Sequence, residues 1–406
     1  MFTKGLLLLI TSTLFSIASP DGNPVSEKQV AEIHDKVLTV DTHVDTPMAL
    51  LNDGFDIGER NEAPRSRVDF VRMKEGGLDA IFFAAFTGQR ERTPENTEAA
   101  YKRANDMIDA TYEVCNQYDE MTEVAFSSAD ADRIEAAGKR AIYIGMENGF
   151  PLGKDLSRVK EFYDRGVRYI TLSHSSNNDI CDSSTDRDGP EHNGLSDFGE
   201  EVVKEMNRLG MMIDVSHISD KSFYDVIQLS DAPVIASHSS VRAIAKHPRN
   251  MTLDMIKALA KNGGVIQICL LDDYVKDPDT TTVHYQKMQY LRKIYNDEFE
   301  SMSDEKKEAF RDLWRKTQEK YPKELPTVAD LVDHIDHVKN LVGIDYVGIG
   351  SDFDGGGGLA DCEDVSQMPN ITREMLRRGY TEDEIRKVWG GNFFRVFREV
   401  EELAAK

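Results

Sequence analysis

The chain has 406 residues, of which 40% are hydrophobic and 30% charged, and a formal net charge of −23. That balance is too apolar for a disordered chain. The acidity argues against nucleic acid or an anionic membrane surface as partner, because both reward a basic patch. The length suits one large α/β domain, and no repeat or linker divides residues 25–406.

The N-terminal stretch MFTKGLLLLITSTLFSIASP places one lysine before a short apolar run, then Ser16-Ile17-Ala18. This is the pattern of an export signal over residues 1–18, cleaved after Ala18. The run is too short for an ordinary spanning helix. The last residues, REVEELAAK, carry no apolar tail. The expectation is an exported protein, periplasmic or extracellular, without a stable membrane anchor.

Eight short apolar runs then read as strands. They are VLTVDTH (37–43), DAIFFAAFT (79–87), RAIYIGMEN (140–148), VRYITLSH (167–174), MMIDVSH (211–217), APVIASHSS (232–240), GGVIQICLL (263–271) and DYVGIGSDFDG (345–355). Near-continuous apolar strands suit a parallel sheet buried on both faces. Helical stretches alternate with them. SSADADRIEAAGK offers Ser and Asp caps, and LSDFGEEVVKEMNRLG and TLDMIKALAKNGG end in the glycine that a C-cap uses. Residues 88–120 predict a long helix, residues 284–322 a charged helical insertion, and VADLVDHIDHVKNLVG an amphipathic helix before the last strand. The alternation predicts a (β/α)8 barrel with helical insertions, in preference to an open doubly wound sheet.

In such a barrel, chemistry gathers at the C-terminal ends of the strands. There stand His43 and Asp45, Glu147, His174, His217, His238, and Asp352 with Asp354. Asp41, His43 and Asp45 alternate in VDTHVDT and so share one strand face. Singly, each has a bland reading: a hydrogen-bonded loop histidine, an ion-pair partner, a turn. Together at one end of a barrel they point to a metal site. Imidazole and carboxylate without thiolate suit Zn2+, and also Mn2+, Fe2+ or Co2+. Even three of these histidines with two of the carboxylates are too many for one tetrahedral ion with an open position. They suit two ions about 3.5–4 Å apart that share a carboxylate and a hydroxide, as in a hydrolase. Cys115, Cys181, Cys269 and Cys362 form no CxxC pair, so no thiolate zinc site is expected, and Cys269 reads as a buried free thiol. His192 reads as a loop residue, and His34, His247, His284, His334 and His337 as surface or helix residues.

The motifs DTHVDTP, GMENG, LSHSSNN, DVSHIS, SHSS followed by RN, and GSDFDG, with the late GGNFFRVF, resemble the membrane (renal) dipeptidase family. They occur in order along nearly the whole chain. The resemblance implies a barrel with two zinc ions that hydrolyses dipeptides, L–L and as a further candidate L–D. It implies that His43 and Asp45 bind one zinc, His217 and His238 the other, and that Glu147 bridges them. His174 would face the substrate carbonyl and stabilise the oxyanion. Arg249 would bind the substrate carboxylate, for which its planar fork is suited. Asp352 would take a proton from the attacking water and pass it to the leaving amine. HxD and a glutamate bridge, in place of HxH and a modified lysine, favour this branch of the metal-dependent barrels. Asp41 is expected behind the ligands, orienting a ligand histidine, and a closed mouth would reject longer peptides. The family also implies a homodimer. The alternative on this scaffold is another metal-dependent amidohydrolase, such as an N-acyl amino acid deacylase or a lactonase/β-lactamase.

Overall fold

A computed structural model describes residues 25–61 and 65–404; the expected export signal, residues 1–18, lies outside them. Among the described residues nine strands are found: β1 (Val40–Val44), β2 (Ala80–Phe86), β3 (Thr122–Val124), β4 (Arg140–Glu147), β5 (Val167–Thr171), β6 (Met212–Asp214), β7 (Ile235–Ser239), β8 (Val265–Ile268) and β9 (Val347–Ile349). All pair in parallel, in the order β1-β2-β4-β5-β6-β7-β8-β9, as the nearly closed wall of a (β/α)8 barrel. Each predicted run coincides with one wall strand, β1 passing the end of its run by one residue, Val44. The extra strand, β3, is too short to show a pattern in sequence. It pairs with the start of β4, on the flank that β5 takes over from Ile144.

The wall closes beyond the end of β9. Val44 bridges Phe353, the Asp45 N–H donates to Phe353 O at 2.9 Å, and the Asp352 N–H donates to His43 O at 3.0 Å. The seam therefore lies at the mouth and carries Asp352 to the end of β1.

Strand alternation sorts the core into two clusters. Ala80, Phe82, Ala141, Tyr143, Tyr169, Met212, Ile235 and Val265 belong to one. Their neighbours Ile81, Phe83, Ile142, Ile144, Ile170, Ile213 and Ile266 belong to the other, which reaches the surrounding helices. The helix Asn392–Ala404 plugs the bottom. Phe82 stacks on Tyr143 at 4.7 Å between ring centres, with Phe393 edge-on to Phe82 at 5.1 Å and Phe397 edge-on to Tyr143 at 5.9 Å.

The helices Asp197–Leu209 and Leu253–Asn262 begin on the Ser196 and Thr252 side-chain caps and end at Gly210 and Gly263 in the left-handed region. The long helix is Pro94–Gln117, shorter than its predicted 88–120. Thr93 caps the Asn96 N–H, and Pro94 suits the first turn, so residues 88–93 remain loop. The insertion is a pair of helices, Val283–Glu298 and Asp304–Lys320, around Met288, Leu291, Phe299 and Phe310. Among the described residues no helix is long and apolar enough to cross a membrane. All four cysteines are buried and unpaired.

Candidate metal centre and active site

The strand ends and the seam bring Asp45, Glu147, His174, His217, Arg249 and Asp352 around one cavity of about 1100 Å3, with His43 and His238 buried beside Glu147. His43 lies in β1, Asp45 one residue past it, Glu147 at the end of β4, and His238 in β7. His174, His217 and Asp352 follow β5, β6 and β9. Pairing of Glu147 with Phe86 on one side and Thr171 on the other fixes its height in the mouth. Three non-glycine residues here take left-handed backbone: Asn148 at φ 73°, His217 at φ 71° and Asp352 at φ 60°. Such a residue costs on the order of 1 kcal/mol or more. Asn148 is held there by its amide, which donates to Thr87 O and accepts from the Phe150 N–H.

The Glu147 carboxylate lies between the imidazoles. Its Oε1 is 3.0 Å from His217 Nε2, 3.4 Å from His238 Nε2 and 3.7 Å from His174 Nε2. Its Oε2 is 3.5 Å from His43 Nε2, which in turn is 3.9 Å from Asp45 Oδ1. Three sets of potential ligand atoms each fall within 4.8 Å: His43, Glu147 and His238; Glu147, His174 and His217; His43, Asp45 and Asp352. Buried Arg249 donates from one terminal nitrogen to His238 O at 2.9 Å and packs over the Tyr274 ring, while its Nε has no hydrogen-bond partner.

The sequence profile described as membrane dipeptidase, peptidase family M19, matches residues 27–406. The chain belongs to the membrane dipeptidase family. It is similar to Dipeptidase tcpJ of Claviceps purpurea, 33% identical over 86% of this chain and 74% of that protein. Dipeptidase 3 of Rattus norvegicus is 31% identical over 94% of this chain and 68% of that protein. The crystal structure of the probable dipeptidase PvdM from Pseudomonas aeruginosa, 30% identical, covers 93% of this chain and 98% of its own at a TM-score of 0.83. As a member of this family the chain is a metallo-dipeptidase, a hydrolase acting on dipeptides.

The residues of this dipeptidase fit a metal. His43 Nε2 and Asp45 Oδ1 are buried and have no hydrogen-bond partner among the described residues. The other ring nitrogen of His43 bonds Tyr169 Oη at 2.8 Å, and His238 Nδ1 bonds Ser237 Oγ at 2.9 Å. Both rings thus turn Nε2 toward Glu147. Electrostatics agrees. Burial pushes Asp352 up to about 7, with His43 opposing and Glu147 adding. Burial and the Glu147 charge push Asp45 well above its usual range. Burial, helped by His43, lowers His238 to about 3, and burial with Arg249 lowers His217 strongly. Burial also works against a charged Glu147, yet His43 and His174 hold it well below its usual value. His43 rises to about 10: burial pulls it down, but Glu147, Asp45 and Asp352 outweigh that. The buried carboxylates thus draw positive charge toward His43. A divalent cation among the same ligand atoms would supply that charge and leave the His43 lone pair free.

Other expectations are revised. Asp41 touches no ligand ring. Its Oδ1 accepts the N–H groups of Ser351 at 2.8 Å and His43 at 3.2 Å, so it ties the seam together through the backbone. Asp354 accepts from the Arg67 N–H and from the Thr46 and Ser66 hydroxyls, and stands outside the cavity. His192 is a loop residue bonded to Asn178 O. His34 and His334 lie on helices but are buried, each hydrogen-bonded through both ring nitrogens. The cavity is roomy, at the upper end of the roughly 300–1,000 Å3 typical of ligand pockets. Gln89, Arg90, Glu91 and Arg92, from the loop read as helix in sequence, line it. Sequence reasoning passed over Tyr169, Ser237, Asp214 and Tyr274. The signal for two of them was present, because SHSS and DVSH set hydroxyls and a carboxylate beside the ligand histidines.

Proposed function

We propose that the chain hydrolyses dipeptides with two zinc ions, His43 and Asp45 holding one, His217 and His238 the other, and Glu147 both. Mn2+ and Co2+ are the natural substitutes. The observation that carries this reading is the division of Glu147: Oε2 faces His43, and Oε1 faces His217 and His238. When bound, such a pair of ions lowers the pKa of a water and polarises the scissile carbonyl.

The chain's own residues do the rest. Arg249, which lines the cavity, binds the substrate C-terminal carboxylate through its guanidinium. That carboxylate fixes one residue beyond the scissile bond. His174 is the most exposed imidazole of the cluster, at 23% of its side chain. Its Nδ1 lies 2.8 Å from Ser175 Oγ and Phe86 backs the ring; with the serine hydroxyl donating, Nε2–H donates to the carbonyl oxygen as negative charge develops. Asp352, raised to about 7, accepts the proton of the attacking water and returns it to the departing amine. Substrates are L–L dipeptides, and L–D dipeptides where the second side chain points into the open mouth.

The test is a panel of dipeptides, with L and D second residues, set against N-acyl amino acids and lactones, in chelator-treated protein before and after zinc. Zinc-restored turnover of free-amine dipeptides is expected. Turnover of N-acyl amino acids alone would replace this reading with a deacylase.

A further inference from the structure

Under the mouth lies a layer of buried polar groups that touch the histidines and not the cavity. Tyr169 from β5 reaches across to β1. Its Oη is 2.8 Å from His43 Nδ1 and 3.2 Å from Thr42 O. A carbonyl oxygen only accepts, so the tyrosine hydrogen goes to Thr42 O and the hydroxyl oxygen accepts from His43 Nδ1–H. Ser237 does the same for His238. Its Oγ is 2.6 Å from Asp214 Oδ2 and 2.9 Å from His238 Nδ1. A carboxylate oxygen accepts, so the serine hydrogen goes to Asp214 and Ser237 Oγ accepts from His238 Nδ1–H. Asp214 is itself fixed by the N–H groups of Ser216 and Ser237 and by the Thr171 hydroxyl. Tyr169, Ser237, Asp214 and Thr42 are all fully buried, so no bulk water can substitute for either hydroxyl.

We propose that Tyr169 and Ser237, the latter backed by Asp214, are positioning residues that lock His43 and His238 in the Nδ1–H tautomer and so present both Nε2 lone pairs to the metal pair. In the opposite tautomer each ring would aim an N–H at the ion. Hydroxyls here take the place that carboxylates and carbonyls often hold behind ligand histidines. His217 differs: its Nδ1 has no hydrogen-bond partner among the described residues, and its ring is placed by the left-handed backbone. The inference rests on the reading of His43 and His238 as ligands.

The experiment compares Tyr169→Phe, Ser237→Ala and Ser237→Thr with the unaltered chain, and with His43→Ala and His238→Ala as references. Zinc affinity is measured by competition with a chromophoric chelator. Imidazole N–H signals are followed by NMR in zinc-loaded protein carrying 15N-histidine. Tyr169→Phe and Ser237→Ala are expected to weaken zinc binding about 10- to 100-fold, and each to abolish one exchange-protected Nδ1–H signal. Ser237→Thr, which keeps the hydroxyl, restores both readouts. A general packing role would not remove one imidazole signal selectively. Zinc affinity within about threefold of the unaltered chain, with both protected signals intact, overturns the proposal. The two variants act on different histidines, so either one decides the matter if the other fails to fold. If His43→Ala and His238→Ala also bind zinc normally, the ligand reading falls as well; if only those two lose zinc, the positioning role alone is wrong.

Discussion

At the bottom of the barrel the interior is filled by Phe82, Tyr143, Phe393 and Phe397, stacked and edge-on, all buried. At the mouth the same barrel holds four imidazoles, three carboxylates and a guanidinium, with His43 Nε2, Asp45 Oδ1, His217 Nδ1 and Arg249 Nε lacking partners. Burial stabilises the first arrangement and penalises the second. One end is therefore arranged for folding and the other for binding charge. The two should respond separately to substitution.

The largest effect is expected at the mouth. Glu147→Gln keeps the shape but removes the shared charge. It should lower dipeptide turnover by more than about 10³-fold and lower bound zinc, while circular dichroism stays unchanged. A melting temperature that collapses together with activity would break the separation. Next comes the bottom: Phe82→Ala should destabilise by about 3–5 kcal/mol in denaturant unfolding, with kcat per folded molecule retained. Back at the mouth, the oxyanion role proposed for His174 predicts that His174→Ala reduces kcat by about 10²–10³-fold at unchanged zinc content.

The smallest effect is a pH slope at the bottom. Asp79 accepts from the Thr39 N–H at 3.0 Å and from Arg140 at 3.1 Å, and burial raises it from 3.8 to about 6. The folded state then holds this proton more tightly than the unfolded state. The contribution to stability is full below the unfolded value and is lost as pH rises through about 6. Asp79→Asn should flatten the stability profile between pH 4 and 7 by on the order of 2 kcal/mol, without changing activity.

The residues gathered at the mouth were legible because they recur as His, Asp and Glu at the ends of apolar runs, and strand geometry sends all those ends to one mouth. The barrel was legible for the same reason. The supporting layer was not. Tyr169 in VRYITLSH is indistinguishable from a core aromatic until β1 is placed opposite it. The left-handed backbone of His217 and Asp352 leaves no mark when the residue is not glycine. Asp41 looked like a partner of the ligand rings because it shares their face, but the seam with Ser351 takes its oxygen first. The loop 88–93 was absorbed into the helix that follows, since only Thr93 and Pro94 mark the start.

The most direct measurement follows bound zinc and dipeptide turnover together as zinc is returned to chelator-treated protein. A pair of ions sharing Glu147 predicts that turnover rises with occupancy of two ions per chain, and that Glu147→Gln binds less zinc and recovers no activity. Full turnover at one zinc per chain, or full turnover in Glu147→Gln, would contradict the shared pair.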